Sequence, residues 1–141
     1  SKMGYIGATP LIFEGTLREN IFYGNDLDIE ENLVLEQLRE LETFKEDIHY
    51  DLELIISNKT LSSGQMQKVA FVRALVSDAE VLLLDEATSN LDQDSKEKVF
   101  ELLSKNNITI INSTHIPESF TYDKRYHIKL INEKRFIEEI D

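Results

Sequence analysis

Three places in the chain carry residue types that could act on a phosphate. The first is Asp85-Glu86, two carboxylates directly after the apolar run Val81-Leu82-Leu83-Leu84. At the carboxyl end of a strand, Asp85 could hold a hydrated Mg²⁺, and Glu86 could orient and deprotonate a water for in-line attack on phosphorus. Two solvated carboxylates before a helix would read the same way, so the pair alone is only moderately specific. The second place is Leu61-Ser62-Ser63-Gly64-Gln65, at the entrance of a helical pattern. A helix N-terminus offers free N–H groups and about half a positive charge, which suits an anion. Ser62 can add a hydroxyl donor, and Gly64 lets the backbone approach a phosphate with no Cβ in the way. The plain alternative is a serine cap on an amphipathic helix. The third is His115, three residues beyond Asn112, near which the β-branched run ends. Its imidazole could contact a γ-phosphate or the attacking water, or it could be an ordinary surface histidine.

The elements that must position these groups are legible as patterns. Lys2–Gly7 reads as a strand running into a turn at Gly7-Ala8-Thr9-Pro10. Thr16, with Glu19 three residues on, reads as a capping box opening the next helix. Leu33, Leu35, Leu38 and Leu41 recur at helical spacing and predict a helix over about Ile29–Phe44. Ile48–Lys59 is mixed, with Leu52, Leu54 and Ile56 alternating weakly. From Ser62 to about Val76, Val69, Ala70, Val72, Ala74 and Leu75 supply an apolar helix face. Val81–Leu84 fits a strand buried on both sides. Asp92 can cap a helix over Gln93–Lys105, with Val99, Leu102 and Leu103 inward. Ile108–Asn112 is a second strand, so this region predicts a parallel βαβ unit. Tyr126–Ile131 with Arg135–Ile137 predicts a terminal hairpin.

At 141 residues the chain suits one domain with a real core. Its 27 acidic and 15 basic residues give a net charge of −12. That balance argues against a nucleic-acid or anionic-membrane surface as the main partner, because both call for a basic face. With no cysteine there is no disulfide framework and no thiolate metal site. His49, His115 and His127 lie far apart, so a metal here would be oxygen-ligated, as Mg²⁺ is. No apolar run approaches the ~18–20 residues of a membrane span, and the chain reads as soluble, able to serve a membrane protein as a cytoplasmic part.

Taken together the three places resemble the ATP-binding-cassette (ABC) ATPase family. Leu61–Gln65, LSSGQ, looks like the family signature LSGGQ. VLLLDEATSNLD, from Val81 to Asp92, looks like its Walker B strand, catalytic glutamate and D-loop, and Ser113-Thr114-His115 looks like its switch histidine. QMQKVAFVRAL resembles the helix after the signature, and GYIGATPLIFEGTLRENIFYG the Q-loop passage of exporter-type cassettes. The likeness covers nearly the whole chain in family order. It implies an α/β fold: part of a P-loop NTPase core with parallel strands, plus an α-helical subdomain. Residues 1–15 would be the Q-loop strand and turn, 16–78 the helical subdomain with the signature, and 79–141 the second half of the ATPase core. It further implies that Asp85 holds Mg²⁺ through water, Glu86 is the general base and His115 senses the γ-phosphate. Ser62, Ser63, Gly64 and Gln65 would contact ATP held by a second cassette subunit, with Asp92 in the loop crossing that interface. The remaining implied partner is the transmembrane domain of an exporter, on the cytoplasmic side of the cell membrane.

The pattern also departs from the family. No G-x-x-x-x-G-K-[ST] occurs, and none of Gly4, Gly7, Gly15, Gly24 and Gly64 precedes a lysine. Without that loop nothing wraps the β- and γ-phosphates. The resemblance therefore reads as the C-terminal part of a cassette, with truncation upstream of Ser1 as the simplest account, and the chain alone is expected not to hydrolyse ATP. Ala8 stands where the family has the Q-loop glutamine; a methyl group can neither ligate Mg²⁺ nor bond a water. Ser63 replaces the first glycine of the signature pair, and Ile56 stands where exporters carry an acidic residue. Two other uses compete: a non-catalytic module that lends its signature to a partner, and a cassette outside transport, which the absence of a lysine-rich insertion disfavours. Exposed strand edges and apolar faces would also invite pairing with another copy.

Overall fold

The two carboxylates stand at the end of the middle strand of a parallel sheet. The structure, a computed structural model, describes residues 2–23, 30–115 and 122–140. In chain order it runs β1 (Met3–Ile6), β2 (Gly15–Thr16), α1 (Leu17–Ile21), α2 (Glu31–Glu40) and β3 (Ile55–Ile56). There follow α3 (Ser63–Val76), β4 (Val81–Asp85), α4 (Gln93–Ser104), β5 (Thr109–Ser113), β6 (Arg125–Ile131) and β7 (Lys134–Ile140). The expected α/β class is observed, and β4–α4–β5 is the expected parallel βαβ unit.

The main sheet has the order β1-β4-β5, with Ile6 opposite Leu84 and Asp85 opposite Ser113. Alternate strand residues point to opposite faces. On one face Ile6, Leu82 and Leu84 join a single buried cluster with Phe71, Val72 and Val76 of α3 and Val99, Leu102 and Leu103 of α4. On the other, Val81 and Leu83 are only partly covered, and Met3, Tyr5 and Ile111 are exposed. The expectation that β4 is buried on both sides is therefore corrected. A run of four apolar residues does not specify how many layers cover it, and among the described residues α3 and α4 cover only one face.

The helical part departs from expectation in detail. Thr16 caps α1, its Oγ1 accepting from the Glu19 N–H at 3.0 Å. The second helix is shorter than the expected Ile29–Phe44, and Ile29 itself lies outside the described residues. It ends because Glu42 adopts φ 49°, and the N–H groups of Glu42 and Thr43 turn back onto the carbonyls of Arg39 and Leu38. Its inward stripe is Val34, Leu38 and Leu41, whereas Leu33 is 47% exposed. Asn20, fully buried, donates to the carbonyls of Phe13 and Thr16, while Arg73 Nε donates to the Asn20 carbonyl at 2.7 Å. These bonds fasten α1 and the segment before it to α3. The terminal hairpin is longer than its pattern, because Asn132 and Glu133, at φ 51° and 63°, form the two-residue turn that lets β6 and β7 pair along their whole length.

Candidate functional site

Glu86 follows β4 in the left-handed region, at φ 54°, a conformation that costs a glutamate about 1–2 kcal/mol. Two bonds hold it there. Its N–H donates to the Ser113 carbonyl at 3.0 Å, and its Oε1 accepts the His115 N–H at 2.8 Å. The His115 Nε2 lies 3.8 Å from the same oxygen, with the imidazole 97% exposed and the Glu86 side chain 29% exposed. The structure thus brings Glu86 and His115 together, because β4 and β5 are parallel neighbours whose carboxyl ends open at one edge.

Asp85 faces the open side of the sheet, where its Oδ2 accepts from the Tyr5 hydroxyl at 3.1 Å. That hydrogen bond, with some desolvation and the carboxylate charge, raises the Tyr5 pKa, so the phenol keeps its proton. Tyr5 was not singled out from sequence; only its place on β1, one strand from Asp85, could have suggested it. No group of three carboxylates or histidines is spaced to hold a metal among the described residues. Any cation at Asp85 would therefore keep water or phosphate oxygens as its remaining ligands, the habit of Mg²⁺.

The signature residues stand apart from this edge. Ser62 Oγ accepts from the Gln65 N–H at 3.1 Å, and Gln65 Oε1 accepts from the Ser62 N–H at 2.8 Å, a complete capping box at the start of α3. The plain capping role is thus realised, and it leaves the Ser62 hydroxyl proton and the Gln65 amide N–H groups for other partners. Ser63 is exposed. A Cβ on Gly64 would lie 2.9 Å from the Asn90 carbonyl oxygen, so α3 starts in close contact with the loop after Glu86. That loop ends at Asp92, whose Oδ1 accepts from the Ser95 N–H at 2.7 Å and caps α4. This bond, first among several, holds the Asp92 carboxyl below the usual aspartate range. Ser62, Gly64, Gln65, Lys68, Asn90 and Asp92 line one cavity of about 470 Å³, which Glu86 and His115 do not enter.

Ala8, at the Q-loop position, takes part through its backbone: its carbonyl accepts from Gln67 Nε2 at 3.0 Å. Gln67 is fully buried, and sequence reasoning missed it. The available signal was its place in the stripe Gln67, Phe71 and Ala74, a polar residue among inward-facing ones. Gly24 and Ile116, which border the Q-loop passage and the switch motif, lie outside the described residues.

Comparison with known proteins identifies the family. A family model described as ABC transporter matches residues 1–89. The chain is 35% identical over 128 residues to the SPbeta prophage-derived sublancin-168-processing and transport ATP-binding protein SunT of Bacillus subtilis (strain 168), covering 88% of this chain and 18% of that protein. It is 41% identical over 124 residues to the ATP-dependent permease MDL1 of Candida albicans, covering 82% of this chain and 18% of that protein. A solved bacterial Atm1-family ABC exporter with ATP bound superposes with a TM-score of 0.69 at 25% identity, over 81% of this chain and 21% of the other. The chain spans less than a fifth of the length of these curated relatives. With the family model covering well over half of its residues, and the same α/β core recurring in an exporter, the chain belongs to the ABC transporter family.

Proposed function

We propose that these residues serve the ATP-binding cassette of an exporter, on the cytoplasmic face of a membrane, and that they contribute to two nucleotide sites. The observation that carries this reading is the bond from the His115 N–H to Glu86 Oε1 at the carboxyl edge of the parallel sheet. Residues 1–15 would be the Q-loop segment, 16–78 the helical subdomain and 79–141 the second half of the ATPase core. Bound Mg²⁺ and ATP would supply the phosphoryl group and neutralise its charge. Asp85, steadied by Tyr5, would hold the cation through water. Glu86, with Oε1 fixed by His115, would accept the proton of the attacking water on Oε2, and the exposed His115 imidazole would reach the γ-phosphate. Ser62, Ser63, Gly64 and Gln65 would turn toward ATP on a second cassette, with Asp92 at that interface. This division is supported by the separation of their cavity from Glu86 and His115. No described helix is long and apolar enough to cross a membrane, so the spanning part would be another domain or chain.

The test is Glu86→Gln in the complete transporter. Phosphate release should fall by about 10²–10⁴-fold with ATP binding retained; wild-type turnover in the variant would overturn the assignment. The 141 residues alone, which contain no GxxxxGK[ST] loop, should show no tight Mg-ATP binding by titration calorimetry.

A further inference from the structure

The Gln67 carboxamide is buried and engaged on both its polar atoms, yet none of its partners belongs to its own helix. Its Nε2 donates to the Ala8 carbonyl at 3.0 Å and to Ser89 Oγ at 3.2 Å, and its Oε1 accepts from the Asn90 N–H at 3.1 Å. Three segments distant in sequence therefore meet on one side chain: the turn after β1, the loop after β4 and the second turn of α3. Gly64, one turn earlier on the same helix, lies close to the Asn90 carbonyl, which a Cβ there would meet at 2.9 Å. Asn90 is thus bonded to α3 at its N–H and closely approached by it at its carbonyl. The grip extends to Glu86, because the Ser89 N–H donates to the Glu86 carbonyl at 3.2 Å and the Leu91 N–H to the Thr88 carbonyl at 3.0 Å.

We infer that Gln67 is a positioning residue, which makes the loop from Glu86 to Leu91 and the backbone at Ala8 move as one body with α3. This deepens the reading of the site given above and rests on it for its functional side. Under that reading, ATP meets α3 at Ser62–Gln65, while the water-activating carboxylate sits at the start of the loop that Gln67 holds. A rigid connection between them lets engagement at one nucleotide set the geometry at the other. The usual Q-loop side chain is absent here, since position 8 is alanine, and the Gln67 contact to the Ala8 carbonyl joins that turn to the same body without it. The buried amide stiffens the connection: a polar group in this interior is disfavoured when its bonds are unmade, so packings without these partners are disfavoured.

Two variants of the complete transporter test this. Gln67→Met keeps size and helix propensity and removes all three bonds. Gln67→Glu keeps the acceptor for the Asn90 N–H and loses both donor bonds; the one to Ser89 Oγ can be replaced in reverse, by the Ser89 hydroxyl donating to the carboxylate, whereas the one to the Ala8 carbonyl cannot. Peptide-resolved amide exchange, without nucleotide, should rise about tenfold in both 7–11 and 86–92 for the methionine variant. For the glutamate variant it should rise in 7–11 alone, which also decides the matter should the methionine variant fail to fold. ATP hydrolysis should lose about tenfold in kcat with KM little changed in the methionine variant, with part of the loss restored by glutamate. Unchanged exchange in both segments would overturn the grip, and raised exchange with wild-type kcat would overturn its role in the reaction. A wild-type transporter that hydrolyses no ATP would instead overturn the proposed function, and the exchange measurements would still decide on Gln67.

Discussion

Gly64 looks from sequence like a glycine kept for a ligand, and the structure supplies a second, independent reason for it. The same residue has to let α3 approach the Asn90 carbonyl, which a Cβ would meet at 2.9 Å. The two physical effects on a Gly64→Ala variant have opposite signs. Helix propensity alone favours alanine by roughly 0.5–1 kcal/mol, whereas crowding a backbone oxygen that cannot rotate away costs about 1–3 kcal/mol. We expect the steric effect to win, so the alanine variant should unfold at lower urea; a higher midpoint would mean that the loop yields freely. Glu86 is the complementary case. Its place after an apolar strand could be read from sequence, but its left-handed φ of 54° could not, because glutamate has no local preference for it. The conformation is imposed by Ser113 and His115, residues of a neighbouring strand and the turn after it.

Elements whose ends carry their own signals were readable, and those settled by tertiary contact were not. Asp92 is the clear success: the cap expected from sequence is made to the Ser95 N–H at 2.7 Å. Its carboxyl lies below the ordinary aspartate value, with the Ser95 backbone bond as the main cause. A depressed carboxyl contributes stability above the unfolded value, about 3.9, and loses it as pH falls through the folded value. Asp92→Ala should therefore lower the urea midpoint at neutral pH, with the gap to wild type closing as the solution is acidified below about pH 4. A gap independent of pH would show that the charged cap contributes nothing. In α2, by contrast, the leucine spacing pointed rightly to Leu38 and Leu41 but wrongly to Leu33, because Val34 is the buried residue there, and the left-handed Glu42 stops the helix early. Gln67 could be placed in an inward stripe from sequence, but its partners could not, for a related reason. Which polar residue in an apolar face finds partners depends on loops far away in the chain, and no local pattern encodes them.

At the scale of the whole molecule, the open side of the sheet should govern how the isolated chain behaves in solution. Two cross-strand rows, Met3–Val81–Thr109 and Tyr5–Leu83–Ile111, lie on that face, with β1 and β5 as edges. The hairpin adds exposed Tyr126, Ile128, Leu130 and Ile137. Exposed apolar surface and unpaired edges of this kind favour association with another copy. The net charge of −12 opposes it, since two such molecules repel until salt screens them. The balance depends on ionic strength in a definite direction: screening shrinks from about 30 Å at 0.01 M salt to about 3 Å at 1 M, while the apolar attraction does not weaken. Light scattering on the isolated chain should show a mass that rises with protein concentration, more steeply at high salt, together with binding of a hydrophobic dye. Replacing Ile111, in the middle of the edge strand β5, by lysine should reduce both, because it places a charge in the exposed apolar row. A monomer at every salt concentration that binds no dye would mean that the face is covered in solution, and the open surface of β4 would then have to be filled by residues outside those described.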